Sequence, residues 1–104
     1  MQRFDSKTPA ELAVLTFDFR KALVSGETLS GTPTVTVTVS VGVDGSPTDI
    51  LNGDAQIDAS GKKVLVAVKE GLDGCEYEIR VLVETTNVAK VPELPAILPV
   101  VEDP

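Results

Sequence analysis

The chain has 104 residues, a length that suits one domain and can bury a core without disulfides or a metal. Its net charge of −7 argues against nucleic acid and anionic membranes as partners, because their phosphates would repel an acidic surface. It has no His, so the commonest metal ligand and neutral-pH general base is missing, and its single Cys excludes an internal disulfide. Because no signal-peptide core and no run of ~20 apolar residues occurs, we expect synthesis in the cytoplasm.

The N-terminal segment, 1–9, is predicted to be a loose arm. It runs into Thr8-Pro9-Ala10-Glu11, which resembles a capping box for a helix of about one turn. Apolar and polar residues then alternate, and this period of 2 predicts a first strand over 13–20. Segment 22–29 is interpreted as a connector whose leucines close one end of the core.

Four further strands are predicted in the middle of the chain. Val at every second position over 34–41 is the clearest period-2 pattern. Short strands are predicted over 48–51 and 55–59, set off by Asp-Gly and Asn-Gly hairpin dipeptides. A Val-rich strand follows over 62–69, bounded by Ser-Gly and Glu-Gly turns.

The turn before Tyr77 is the most informative stretch for the fold. From Tyr77 to Val83 every second residue is apolar, as in a half-buried antiparallel strand. A Tyr that enters a strand just after an Asp-containing turn has the local form of the tyrosine corner of immunoglobulin-like sandwiches. The sequence therefore predicts a structural corner at Asp73 and Tyr77. Cys75, between them, is expected to face inward as a small apolar residue.

The last segment, 88–104, is predicted to be a Pro-rich tail or an edge strand, because Pro cannot donate to a ladder. It is also the best candidate for an interaction element that pairs with a neighbour's sheet edge. Two plainer interpretations stay open, namely that it is the last strand of its own sandwich or that it is disordered. The residues of this possible interaction tail are Val91, Pro92, Leu94, Pro95, Ile97, Leu98 and Pro99.

Six or seven short strands at regular spacing, with almost no helix, predict an all-β chain: a single immunoglobulin-like antiparallel β-sandwich over 1–104. Aromatic residues make up only 4% of the chain, so the core must be mainly aliphatic. The predicted core consists of Leu15, Phe17, Phe19, Val35, Val37, Val39, Val64, Val66, Tyr77, Ile79, Val81 and Val83.

No residue set points to catalysis, a metal or a cofactor. Four loop aspartates could suit Ca²⁺, but they do not match an EF-hand loop and Asp is an ordinary turn former (Asp44, Asp49, Asp54 and Asp58). The glutamates of the Tyr77 strand, Glu76, Glu78 and Glu84, lie with Arg80 on an open face where no cleft would raise a carboxyl pKa. Without His a conventional serine triad is impossible. We therefore expect a protein that is not an enzyme.

Several short motifs, in this order and spacing, resemble a family of small proteins encoded by tailed bacteriophages and prophages, over about residues 7–87. The motifs are Lys7-Thr8-Pro9, Thr16-Phe17-Asp18-Phe19, Gly26-Glu27-Thr28-Leu29, the turn from Gly71 to Tyr77, and Thr85-Thr86. The resemblance implies an immunoglobulin-like sandwich, a role as a virion structural or virion-assembly protein, and the virion as the final location. It implies other virion proteins, or a second copy of the chain, as partners, and it transfers no catalytic residue.

The chain departs from that family at two places. Phe19 stands where members often have Trp, and the Pro-punctuated tail replaces a regular last strand. A carbohydrate- or cell-surface-binding sandwich is the alternative function. Such a site needs exposed aromatic side chains, and among the four aromatic residues only Phe4 is expected to be free.

Overall fold

The computed structural model describes residues 2–102 and contains seven strands in that range. Two short 3₁₀ helices lie among them, at Arg20–Ala22 and Pro47–Ile50. The strands are β1 Gln2–Arg3, β2 Ala13–Asp18, β3 Leu29–Val41, β4 Gln56–Ile57, β5 Lys63–Val68, β6 Glu76–Thr85 and β7 Glu93–Pro99.

The strands form two sheets, one in the order β1-β7-β6-β3 and the other in the order β2-β5-β4. All neighbouring strands are antiparallel except β1 and β7, which are parallel. Labelled B to G in chain order, β2 to β7 divide between the sheets as in an immunoglobulin constant domain, with B, E and D in one sheet and C, F and G in the other. The predicted fold class is therefore confirmed.

The core lies between the two sheets and follows the period of 2. All predicted core residues are buried except Val35 and Val39, which are half-buried and pack against the core. Cys75 is buried as predicted, at 3% exposure. Apolar residues outside the predicted set that are also buried are Leu29, Ile50, Ala55, Val68, Ala96, Leu98 and Val100.

The strand predicted over 48–51 is wrong, because Pro47–Ile50 is a 3₁₀ helix. Proline has a fixed φ that suits the first position of a helix. The turn closes through Asp49 N–H to the Ser46 carbonyl at 3.0 Å and Leu51 N–H to the Thr48 carbonyl at 3.1 Å. The apolar side chain of Ile50 is still buried, so this segment buries an apolar residue from a helical turn and not from a strand with a period of 2.

The N-terminal arm is held against the sandwich instead of lying loose. Gln2 and Arg3 pair with β7, and Phe4 N–H donates to the Ile97 carbonyl at 2.9 Å. The Phe4 ring packs edge-on against Phe17, with ring centroids 5.3 Å apart. Nothing local in the sequence of the arm signals this pairing, because its partner lies at the other end of the chain.

The Pro-rich segment supplies β7, which lies between β6 and the two-residue β1. Successive residues of a strand point their backbone groups to opposite edges. The carbonyls of Ile97 and Pro99 accept from Phe4 and Lys7 on the β1 side, so Pro95 and Pro99 turn their nitrogens, which lack hydrogens, to that side. The ladder to β6 is thus complete although the strand contains prolines.

Candidate interaction surfaces

The predicted corner at Tyr77 is a closed hydrogen-bonded unit. The Tyr77 ring is fully buried, and its hydroxyl accepts from Leu72 N–H at 2.9 Å, the upstream backbone contact that defines a tyrosine corner. The hydroxyl donates in turn to Asp44 Oδ2 at 2.7 Å. Burial, together with the Asp44 carboxylate, raises the pKa of Tyr77. The phenol therefore stays neutral and holds loops together.

Asp44 is not among the predicted corner residues. Its sequence context is that of a turn-forming aspartate, and its side chain does accept from Ser46 N–H at 2.9 Å. The contact with Tyr77 joins residues that are far apart in the chain, so no local signal could have identified it. Asp73, the predicted corner residue, accepts instead from Glu102 N–H at 2.9 Å and fixes the end of the described chain.

A buried lysine lies at the same end of the sandwich. Lys7 is 3% exposed, and its Nζ donates to the carbonyls of Thr8 at 2.7 Å and Glu70 at 2.6 Å. Burial lowers the pKa of Lys7. Its contacts are backbone carbonyls, so it anchors the arm to the turn before the corner and has no reacting partner. Lys7, Gly71 and Tyr77, three residues of the resemblance motifs, thus lie together.

The motif residues Glu27, Thr28 and Thr86 lie at the opposite end of β6. The Thr28 carbonyl accepts from Thr86 N–H at 2.9 Å. Glu27 accepts from Val24 N–H at 2.9 Å and from Lys90 Nζ at 2.8 Å, and Lys90 lowers the pKa of the Glu27 carboxyl. These residues hold the ends of loops in place, and these contacts account for their positions in the sequence.

Within the described chain, the acidic residues do not converge on a metal site. Among residues 2–102, no three His, Cys, Asp or Glu side chains form a group that could hold a metal ion. Glu76 pairs with Arg3, whose guanidinium lowers the pKa of that carboxyl. Arg80 bridges Glu78 at 2.6 Å and Glu93 at 2.9 Å. The outer face of the four-stranded sheet therefore carries ion pairs between neighbouring side chains.

The residues of the predicted interaction tail do not form one exposed surface. Leu98 and Pro99 are buried, and only Val91 and Glu93 among 91–99 are exposed. The remaining tail residues are half-buried beside β6 or against the arm, namely Pro92, Leu94, Pro95 and Ile97. Use of the tail by a partner stays a prediction, but in this chain β7 already has a neighbour on each side.

An apolar surface does lie on the outer face of the three-stranded sheet. Leu12 is 69% exposed and Val14 is 62% exposed. Val14 faces Ala67 across the β2–β5 ladder, and Leu65 follows on the same face. With Gln56 and the loop 52–54, the side chains of Val14, Leu65 and Ala67 line a depression of about 350 Å³. We call Leu12, Val14, Leu65 and Ala67 the outer patch.

The free edge of the four-stranded sheet is the second open surface. β3 has β6 on one side and no strand on the other. Within the described chain, no backbone hydrogen bond of residues 31–41 goes to any partner except β6. Residues 28–43 carry no Asp, Glu, Lys or Arg, and no other uncharged run in the chain is as long.

The expectation that Phe4 is free is wrong, because it packs on Phe17. The other aromatic residues, Phe17, Phe19 and Tyr77, are fully buried. All four lie in the described part of the chain, so no aromatic side chain stands free there to stack on a sugar ring.

No helix in residues 2–102 is long and apolar enough to cross a membrane.

Comparisons with protein-family models, with curated proteins and with solved structures found no match for this chain.

Proposed function

We propose that this chain is a non-enzymatic interaction module, and that it serves as a structural or assembly component of a tailed-phage virion. The outer patch is the observation that carries the first part. The second part comes from the resemblance, whose motif residues hold the two ends of the sandwich together. The partners are other virion proteins or a second copy of the chain.

The outer patch supports protein contact because it leaves large apolar side chains in water. Burying a Val or Leu side chain contributes about 1.5–3 kcal/mol. Leu12 and Val14 gain little of this within the chain, since both are more than half exposed. Contiguous exposed apolar surface on a small domain marks an interaction site more often than single exposed residues do.

The ionisable groups support a structural role over catalysis. The lowered pKa values of Glu76 and Glu27 come from contacts that join elements of the fold, Arg3 with Glu76 and Lys90 with Glu27. Catalytic groups usually combine a shifted pKa with a cleft that admits a substrate. Tyr77 has the largest shift, and its hydroxyl is occupied on both sides.

Mass spectrometry of particles purified from the induced source strain tests the proposal, with the major capsid protein as positive control. We expect the chain in the particles, and its copy number relative to capsid would indicate decoration, a ring or a fibre. Particles that contain capsid protein without this chain, while the cell lysate contains it, would exclude the virion component. An assembly factor would then remain, and it would have to appear in immature particles.

A further inference from the structure

We propose that β3 pairs with β3 of a second copy of this chain, antiparallel about a twofold axis at Val37, so that two four-stranded sheets become one continuous sheet. β3 is a 13-residue strand at the edge of its sheet. Among the strands of residues 2–102 that lack a partner on one side, β3 is the longest. The inference deepens the proposed function and rests on it in one respect, that the chain works through protein contacts.

The backbone groups that face the free edge follow from the hydrogen bonds at the start of β3. The Thr28 carbonyl accepts from Thr86 beside β6, whereas Leu29 N–H donates to the Gly61 carbonyl on the other side. Side-chain face and hydrogen-bonding edge alternate together along a strand. Leu29 faces inward, as the Val residues of β3 do, so residues of that face point away from β6. The free edge therefore offers the N–H and C=O groups of Val35, Val37 and Val39.

Antiparallel pairing about Val37 matches these groups to themselves. In such a pair, Val37 lies opposite Val37 of the second copy, and Val35 lies opposite Val39. All of these residues direct their N–H and C=O groups to the shared edge, so each facing pair can exchange both hydrogen bonds. A twofold axis makes the contact closed and self-complementary, which limits it to a dimer.

The same pairing would cover apolar surface that the single chain leaves open. Val37 is buried at 5% exposure, but Val35 and Val39 are only half-buried although the sequence gives all three the same pattern. They lie on a strand with no outer strand neighbour, although the 3₁₀ helix Pro47–Ile50 and β4 contact β3, and Val35 lines a depression of about 120 Å³ with Leu51 and the loop 53–55. Placing Val35 against Val39 of the second copy would bury more of both side chains at the sheet edge.

The outer face of β3 also suits a second copy. Thr36 would lie directly opposite Thr38 of the other chain, and both side chains are exposed. Facing Thr pairs are favourable cross-strand neighbours. The register of two paired strands depends on which side chains face each other. Because Val and Thr alternate along β3, the allowed registers are those that keep the Val residues on the inner face.

β3 is the strand where a second copy of this acidic chain would meet the least charge. A protein of net charge −7 repels its own copies, and edge strands are usually guarded by charged residues. Here the uncharged run 28–43 spans the whole of β3. A basic partner strand would find no carboxylate on this strand, whereas two copies can approach at this edge with the least repulsion.

Two irregularities define where the pairing begins and ends. The register of β3 on β6 shifts between Ser30 and Thr34 and again between Val39 and Val41. Pro33, in the first irregular stretch, has no N–H to donate. Between them, 34–39 pairs with β6 without a break, so this segment is regular enough to accept another strand.

Sedimentation of the full chain from micromolar to millimolar concentration tests the inference. We expect a concentration-dependent dimer. The double variant Thr36→Lys/Thr38→Lys sets like charges directly opposite one another and should weaken the dimer about tenfold or more. The matched variant Thr36→Glu/Thr38→Lys sets opposite charges across the same interface, and within the chain each new charge faces an opposite charge on β6, Arg80 or Glu78. It should dimerise at least as well as the native chain. Both positions are exposed, and circular dichroism checks that each variant folds.

The outcomes test two points separately, whether a dimer forms and whether Thr36 faces Thr38 in it. A native chain that stays monomeric throughout the concentration range overturns the pairing. Equal loss of dimer in both double variants also overturns it, because Thr36 would then not face Thr38. Incorporation into particles is measured in a separate experiment. A monomeric chain that is found in particles would contradict the pairing and leave the proposed function intact. A dimer that is missing from particles would support the pairing and contradict the proposed virion role.

Discussion

The Tyr77 hydroxyl donates to the Asp44 carboxylate at 2.7 Å, and this bond joins the start of β6 to the loop that follows β3. The same oxygen accepts from Leu72 N–H, so one buried atom ties two loops together. The Tyr77 side chain is fully buried, whereas Asp44 is half-buried and also accepts from Ser46 N–H. Loss of the hydroxyl would therefore remove one hydrogen bond from the Asp44 carboxylate and one from the Leu72 amide.

Tyr77→Phe should lower the free energy of unfolding by about 1–2 kcal/mol, since it removes one hydroxyl and keeps the ring. Chemical denaturation measures the change. Asp49→Ala is the matched control, because Asp49 is an exposed aspartate of the 3₁₀ helix Pro47–Ile50 whose side chain has no such contact, and it should stay within about 0.5 kcal/mol of the native chain. If both variants unfold at the native midpoint, the corner does not stabilise the fold.

Alkaline pH should destabilise the native chain through Tyr77. Burial raises the folded-state pKa of Tyr77 above the ordinary value near 10, so the unfolded state releases its proton first as pH rises. The stabilisation is complete below about pH 10 and is lost above it. Lys7 acts in the opposite sense. Burial lowers its pKa, and its deprotonation as pH rises removes a buried charge, which favours the folded state. Comparing Tyr77→Phe with the native chain isolates the tyrosine: their difference in unfolding free energy should shrink above about pH 10. A constant difference would contradict this.

The strands with strict alternation were predictable because the period of 2 needs only local information. β2, β5 and β6 follow it, and so does the core between them. The pattern could not tell Val37 from Val35 and Val39, since burial at the edge depends on which strands are neighbours. Likewise, the short apolar stretch at 48–51 fits a strand or a turn of helix, and Pro47 decides for the helix.

The contacts that shape the candidate surfaces were less predictable, because they join distant parts of the chain. The arm pairs with β7, and Asp44 reaches Tyr77, yet no local pattern links either pair. The outer patch is different. Val14 was visible as an apolar residue out of phase with Leu15 and Phe17, a signal that a strand has an apolar outer face.

Gly71→Ala should destabilise the fold more than Gly26→Ala, although both glycines have positive φ (95° and 88°). A Cβ at Gly71 would lie 2.9 Å from Val100 Cγ2 and 3.5 Å from Tyr77 Cε2, whereas a Cβ at Gly26 would meet no atom within 4 Å. We expect about 2–4 kcal/mol for Gly71→Ala, from backbone strain plus crowding, and about 1–2 kcal/mol for Gly26→Ala, from strain alone. Equal losses in thermal or chemical unfolding would mean that the corner yields to the added methyl.

Truncation after Ala89 should unfold the domain. It removes β7 and the buried side chains of Ala96, Leu98 and Val100, and it leaves the inner residues of β6 without their antiparallel partner. Far-ultraviolet circular dichroism and amide exchange would report the loss. A truncated chain that stays folded would instead mean that the tail is available to a partner.

Charge in the outer patch should block partner binding without unfolding the chain. Leu12→Lys/Val14→Lys places two cations on side chains that are already 69% and 62% exposed, so the free energy of unfolding should change by no more than about 1 kcal/mol. In a prophage strain that lacks the native gene copy, the variant should reach particles at less than about a tenth of the native ratio to capsid protein, because lost apolar burial and a desolvated charge each cost an interface more than 1.4 kcal/mol. Ser25→Lys, in an exposed loop away from the patch, controls for added charge and should assemble normally. Normal incorporation of the double variant would show that the outer patch is not the contact surface.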